Sequence, residues 1–173
     1  MTYLTPAVLA LIGRESPPIA ATHPVEASEV RRFHHATMDP APRYWDPDSA
    51  GARRCGGVVA PPGFPVHATR RAPESADPLA DDDLGGLGGY GQALRPGLPP
   101  LPLPLQRLLN GGYEYELFRY AFVGERIECR SRYKDIYQRD GRDGPMVFVV
   151  LEDIYTTTDG HPLLTVTNTM ILR

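Results

Sequence analysis

The chain has 173 residues, is 42% hydrophobic and carries a formal net charge of -3. That length suits one domain, 1–173, with apolar content for one core rather than two. The balance of charge provides no global basic field for nucleic acid or an anionic lipid surface, so an anionic ligand must be met locally.

Two cysteines, Cys55 and Cys129, are too few for a disulfide framework. They lie in neither a CxxC nor a zinc-like spacing, so reduced thiols and no metal site are expected. The longest apolar run near the N-terminus, Ala7 to Ile12, is about a third of the ~20 residues a membrane span needs, and it lacks a basic segment with a cleavage site. A cytoplasmic protein with no membrane partner follows as the expectation. Nineteen Pro and seventeen Gly, about a fifth of the chain, concentrate between Gly56 and Gly112.

In chain order, Thr5, Pro6 and Ala7 to Ile12 predict a short helix, with Thr5 as N-cap, Pro6 at its first position and Gly13 as its stop. Residues 14–24 read as extended, because Pro17 and Pro18 disfavour helix in the residues before them. A stronger helix starts near Ala27 to Ser28, capped by Glu26 or Ser28, with Val30, Phe33 and Ala36 toward the core. His34 and His35 point about a hundred degrees apart and are expected at the surface.

The stretch from Phe33 to Ala50 has the layout of an active-site loop. A helix ends near Asp39, a Pro-punctuated turn holds Tyr44 and Trp45, and a helix restarts at Asp46 to Ala50. A Pro-rich connector with polar residues facing water is the plainer alternative. Gly56 to Val66 then runs through a diproline into Gly63. A helix starting after Pro62 would set the N–H of Gly63 or Phe64 at its N-terminus, and a simple tight turn fits the same residues.

Periodicity is lost from His67 to Leu105, an insertion or loop at 67–105 containing Asp81, Asp82 and Asp83 and then a Pro-rich run. It reads as a long mobile loop or an arm over a partner, with the Pro-rich end as a spacer. The last sixty residues alternate as strands over Tyr113 to Phe118, Ile127 to Lys134 and Leu163 to Leu172, with a continuous apolar run at Met146 to Leu151 fit for a central strand. They read as a β-meander covered by the preceding helices, an α+β architecture. Arg130, Arg132 and Lys134 share a strand face, either as a solvated charged face or as a meeting point for phosphates.

Three fragments stand in order: Phe33-x-x-Ala36-x-x-Asp39-x-x-Pro42-x-Tyr44-x-Asp46; Val59-Ala60-Pro61-Pro62-Gly63-Phe64; and Gly112-x-Glu114-x-Glu116-x-Phe118-Arg119 followed by Gly124-x-Arg126-Ile127. Together they resemble the MaoC-like dehydratase N-terminal family from about Ile12 to Arg173. The resemblance implies a hotdog fold, an antiparallel sheet wrapped around a central helix beginning just after Gly63. It also implies hydration of an enoyl thioester, or the reverse dehydration, on a CoA or acyl-carrier-protein substrate without a cofactor.

Active members pair an Asp with a His five residues later. Asp39 matches the first and Tyr44 stands at the second, and a phenol with a pKa around 10 is a poor base. The resemblance therefore implies the substrate-holding half of a heteromer whose other hotdog subunit, in a heterodimer or higher assembly, supplies the pair. Pro62, Gly63 and Phe64 would hold the thioester carbonyl, and Arg130, Arg132 and Lys134 the CoA phosphates. Two alternatives stand beside this: a self-sufficient hydratase using Asp39 with Tyr44 or with His34, His35 or His67, and a non-catalytic acyl-thioester binding or scaffold protein. Tyr120, where the family usually has Pro, and the Asp- and Gly-rich segment are further departures.

Overall fold

The computed structural model describes residues 2–69, 94–105, 107–142 and 144–173. The Asp81–Asp83 run lies outside them. In chain order these residues form α1 (Pro6–Leu9), β1 (Ile19–Ala20), α2 (Ala27–Ala36), a 3-10 turn (Pro42–Tyr44), α3 (Ala50–Cys55), α4 (Phe64–Ala68), β2 (Leu108–Leu117), β3 (Ile127–Gly141), β4 (Gly144–Thr157) and β5 (Pro162–Leu172).

The local signals explain most helix ends. Thr5 accepts the Val8 N–H at 3.3 Å with Pro6 at the first helical position, and Gly13 turns the chain at φ 83°. Glu26 occupies the N-cap of α2 in an extended conformation without a side-chain cap. The restart after the Pro-rich turn comes later than expected, at Ala50 instead of Asp46. Asp46 is used in a tight turn, accepting the Asp48 N–H at 2.9 Å, and Ser49 caps the helix by accepting the Ala52 N–H at 3.1 Å. Ala36 faces solvent and His34 the interior, which reverses the expectation for both.

Strands β3, β4 and β5 form successive antiparallel hairpins, with β4 central as its apolar run predicts. Val147, Val149 and Leu151 are fully buried there. Strand β2, however, does not continue the meander. The order is β1-β3-β4-β5-β2, so β2 lies along β5 at one edge and the chain crosses over to begin β3. The crossover is fixed by Glu125, which receives Arg119 at 2.8 and 3.0 Å and the Phe122 N–H at 2.8 Å. Placed at the edge, β2 leaves its alternating Tyr113 and Tyr115 half exposed, at 50% and 56%. At its bulge, a side chain on Gly111 would meet the Thr169 carbonyl oxygen at 2.9 Å, so only glycine fits the pairing.

One face of the sheet carries two apolar clusters. The first joins Val30, Tyr44, Val59 and Phe64 to Ile127, Tyr155 and Leu164. The second joins Val8 to Tyr133, Val149 and Leu172, and it is filled by Leu94, Leu98, Leu101 and Leu103. The Pro-rich segment 94–105 is therefore core, contrary to the spacer expected there. Its prolines keep it out of helix while Leu94, Leu98, Leu101 and Leu103 face the sheet, each burial contributing roughly 1.5–3 kcal/mol. Arg95 anchors the segment through Asp153 at 2.9 and 3.1 Å and Asn168 at 3.1 Å, with Ser131 donating to Asp153 at 2.7 Å. Among the described residues no helix is long and apolar enough to cross a membrane, and no group of three or more His, Cys, Asp or Glu is placed to hold a metal ion.

Candidate functional site

The turn after α2 builds the site. Thr37 donates its hydroxyl to the Phe33 carbonyl at 3.1 Å, and Met38 takes a left-handed backbone, φ 54°, which is strained for a non-glycine residue. The Asp39 N–H returns to the His34 carbonyl at 3.0 Å and pins that turn. Asp39 is left half-buried, its Oδ1 accepting the Ala41 N–H at 3.1 Å. Pro42 then starts the 3-10 turn that drives Tyr44 into the first apolar cluster, where it is 5% exposed.

Burial pushes the Tyr44 phenol up to about 12, with the Asp39 carboxylate and Tyr120 adding to the shift and the Arg43 guanidinium opposing it. A phenol in that setting is neutral at pH 7. It can donate a hydrogen bond and cannot take up a proton. Arg43 is held over it, its guanidinium 5.8 Å from both the Tyr44 and Tyr120 ring centroids and 3.2 Å from the Tyr120 hydroxyl. Tyr120, the departure from the usual Pro, thus packs against Arg43 beside Tyr44.

His34 is 4% exposed, with its ring centroid 6.3 Å from that of Tyr44. Its Nδ1 lies 3.2 Å from the Asp39 carbonyl oxygen, an acceptor, so Nδ1 is the donor of that contact. Nε2 is buried without a hydrogen-bond partner among the described residues. His35 stays at the surface, and His67 is engaged elsewhere, 3.2 Å from Glu29 and against Phe33 and Phe64. A cavity of about 420 Å³ opens on this turn, lined by His34, His35, Met38, Asp39, Pro40 and Trp45.

The second fragment is stitched to the first. The Val59 N–H donates to the Arg43 carbonyl at 3.2 Å and the Ala60 N–H to the Ala121 carbonyl at 2.8 Å. Phe64 packs edge-on against Phe33, centroids 5.6 Å apart, and a side chain on Gly63 would lie 3.5 Å from the Phe33 ring. Helix α4 starts at Phe64, as the Pro61-Pro62-Gly63 pattern predicts. The Phe64 N–H is bonded to the Pro61 carbonyl at 2.9 Å, which leaves Gly63 as the amide on which the carbonyl-binding expectation rests.

Arg130, Arg132 and Lys134 lie away from this turn and are committed to carboxylates. Arg132 and Lys134 both pair with Glu152, Lys134 at 2.7 Å, while Arg130 and Arg132 each stand 3.8 Å from Glu15. Burial pushes the Glu152 carboxyl up, but hydrogen bonds from Lys134 and Arg132 outweigh it and hold the group below its ordinary value. The sequence offers His34 as an alternative base and Tyr120 as a departure, but not the burial of His34 or the contacts of Arg43 with Tyr44 and Tyr120. Only the five-residue spacing from His34 to Asp39 offered a signal, since Arg43 and Tyr120 are 77 residues apart.

A family profile described as the FAS1-like dehydratase domain region matches residues 10–166. A UPF0336 protein of Saccharopolyspora erythraea is 30% identical over 162 residues, covering 94% of this chain and 88% of that protein. Among solved structures, a chain of the ChsH1-ChsH2 complex from Mycobacterium tuberculosis superposes with a TM-score of 0.67 at 20% identity, covering 95% of this chain and 86% of that one. A chain of the HadBC (3R-hydroxyacyl-ACP dehydratase) complex from the same organism gives 0.58 at 14% identity, covering 90% and 95%. The MaoC-like dehydratase from Rhodospirillum rubrum gives 0.57 at 16% identity, covering 91% and 90%. The fold of this chain is the hotdog fold.

Proposed function

The chain belongs to the FAS1-like dehydratase domain family, and on that premise we propose that it is the substrate-holding subunit of a heteromeric hydro-lyase acting on an enoyl or 3-hydroxyacyl thioester. The observation that carries this reading is Tyr44. At the position where active relatives of the MaoC-like group hold a His, a buried phenol pushed up to about 12 cannot activate water, so the acid–base pair must come from elsewhere.

In the hydration direction, hydroxide equivalent from water bonds to the β-carbon, a proton adds to the α-carbon, and the carbon–carbon double bond becomes single. The partner subunit's Asp and His would hold the water and move the proton. This chain would orient the acyl group, with Asp39 and Tyr44 shaping the wall and the Gly63 amide facing the thioester carbonyl, where a fixed donor favours developing negative charge. The half-exposed aromatic β2 supports a partner, since it lies at the end of the sheet and its outer edge is a template for pairing. Two of the structural neighbours are hotdog heteromeric complexes.

A second reading, hydration by this chain alone, has one observation behind it: the buried His34 Nε2, without a hydrogen-bond partner among the described residues, at the turn that carries Asp39. Assaying crotonyl-CoA hydration by the chain alone and with a MaoC-like subunit encoded beside it separates the two. Activity only in the pair supports the subunit reading. Activity of the isolated chain that is lost in Asp39→Asn supports self-sufficiency, and no activity in either form leaves thioester binding as the function.

A further inference from the structure

Strand β2 ends the sheet, with one edge against β5 and the other open. Leu117 stands opposite Leu164, and the Phe118 N–H donates to the Leu163 carbonyl at 2.9 Å. By the alternation of an antiparallel ladder, the backbone groups of Glu114 and Glu116 then face β5, and those of Tyr113, Tyr115 and Leu117 face the open edge. The side chains of Tyr113, Tyr115 and Leu117 form an exposed apolar row on the core side of the sheet, with Tyr115 and Leu117 beside Val166 and Leu164 of the first cluster. Glu114 and Glu116 project from the other side, both exposed. Their neighbours on β5 are the uncharged Thr167 and Thr165. Lys134, which shares a shallow hollow with them, is spent on Glu152 at 2.7 Å, and among the described residues neither Glu114 nor Glu116 has an ion-pair partner.

A second copy of this chain meeting that edge across a two-fold axis would run antiparallel to it. An axis at Tyr115 uses the whole regular part of the strand, setting Tyr113 against Leu117 and Tyr115 against itself. It also sets Glu114 against Glu116 twice, at the non-hydrogen-bonded positions where Cα atoms stand only about 4.5 Å apart. An axis at Glu114 or at Glu116 sets that residue against its own copy. Registers nearer the start of β2 run into the bulge, where Asn110 Oδ1 accepts the Gly112 N–H at 3.0 Å and the Asn168 amide at 3.1 Å. Registers nearer its end leave the strand, which stops at Leu117. Self-pairing along the regular strand therefore opposes carboxylates, and like charges directly opposite destabilise a pair.

We propose that Glu114 and Glu116 select the edge partner of β2: a different chain, whose facing strand alternates basic side chains on the Glu side with apolar ones on the Tyr side, and not a second copy of this one. The apolar row supplies contact to any such strand, and the acids decide which strand is accepted. This rests on the subunit reading above and adds to it the chemistry of the missing subunit's edge.

Sedimentation of the full chain at low ionic strength tests it without any assay of turnover. The wild type should stay monomeric. Glu114→Lys alone turns both opposed pairs of the Tyr115-centred register into opposite-charge pairs, so self-association should rise by about tenfold or more and fall again in about 0.5 M salt. Glu116→Lys is equivalent to it under the two-fold, so either variant that folds suffices. Combining the two opposes like charges again and should return the chain to a monomer. The combined variant should also bind the MaoC-like subunit encoded beside this chain about tenfold more weakly. A dimeric wild type, single variants no more associated than wild type, a combined variant as associated as the singles, or unchanged binding of that subunit would each overturn the proposal. A monomeric wild type that hydrates crotonyl-CoA unaided would refute the subunit reading and leave the rejection of self-pairing standing. A dimeric wild type without activity of its own would do the reverse.

Discussion

Replacing Arg95 by alanine should be among the most damaging single changes in the chain, although Arg95 lies far from the candidate site in sequence and outside any helix or strand. Its guanidinium reaches Asp153 at 2.9 and 3.1 Å and Asn168 at 3.1 Å. The Asp153 side chain is 6% exposed, and without Arg95 the Ser131 hydroxyl is its remaining hydrogen-bond donor among the described residues. Removing one member of a buried pair typically costs 3–5 kcal/mol, because the other charge stays buried. As the Arg95 side chain is 20% exposed, water can partly replace it, which places Arg95→Ala near about 3 kcal/mol. With a urea slope of roughly 1–3 kcal/mol per molar, the unfolding midpoint should fall by about 1–3 M. Replacing both partners by apolar residues of similar volume, Arg95→Met with Asp153→Leu, should recover most of that loss. A loss under about 0.5 kcal/mol for Arg95→Ala, or a double variant worse than the single, would refute the reasoning that this pair clamps the Pro-rich segment to the sheet.

Two further outcomes follow from the titrating groups. Tyr44→Phe removes a phenol that is already unable to act as a base, so the assembled pair should keep its hydration rate within a fewfold, measured as kcat; a loss of roughly 10²-fold or more would make the hydroxyl a participant in proton transfer. Glu152 is held below its ordinary value of 4.5 by Lys134 and Arg132 despite burial, so its stabilising contribution is complete above that value and is lost as pH falls through the lower, folded value. Urea unfolding at a series of acidic pH values should show this slope in the wild type and a flatter one in Glu152→Gln; parallel profiles would contradict it.

The strands were legible because each buries one face, and alternation reports that directly, as at Leu164, Val166 and Leu172 in β5. The start of α4 was legible for a different reason: two prolines and a glycine leave few backbone options before Phe64. What could not be read was mostly long-range. Strand β2 alternates like a half-buried strand, yet it pairs with β5 across some fifty residues of chain, and its tyrosines face outward. The Arg130, Arg132 and Lys134 face looked free because its neutralising acids, Glu15 and Glu152, come from other strands or loops. His34 reads as polar in any periodicity count, while its ring packs beside Tyr44 as an apolar side chain would. The segment 94–105 has the composition of a spacer, and its leucines become core where Arg95, through Asp153, and the Tyr133 hydroxyl, on the Pro99 carbonyl, tie it to the sheet.

The central claim is that this chain holds substrate while another subunit moves the proton, and the rate of crotonyl-CoA hydration tests it most directly. The chain alone should show no turnover above the uncatalysed background, and the chain assembled with its MaoC-like partner should turn over. Turnover by the isolated chain, whether or not it survives Asp39→Asn, would contradict the account at its core.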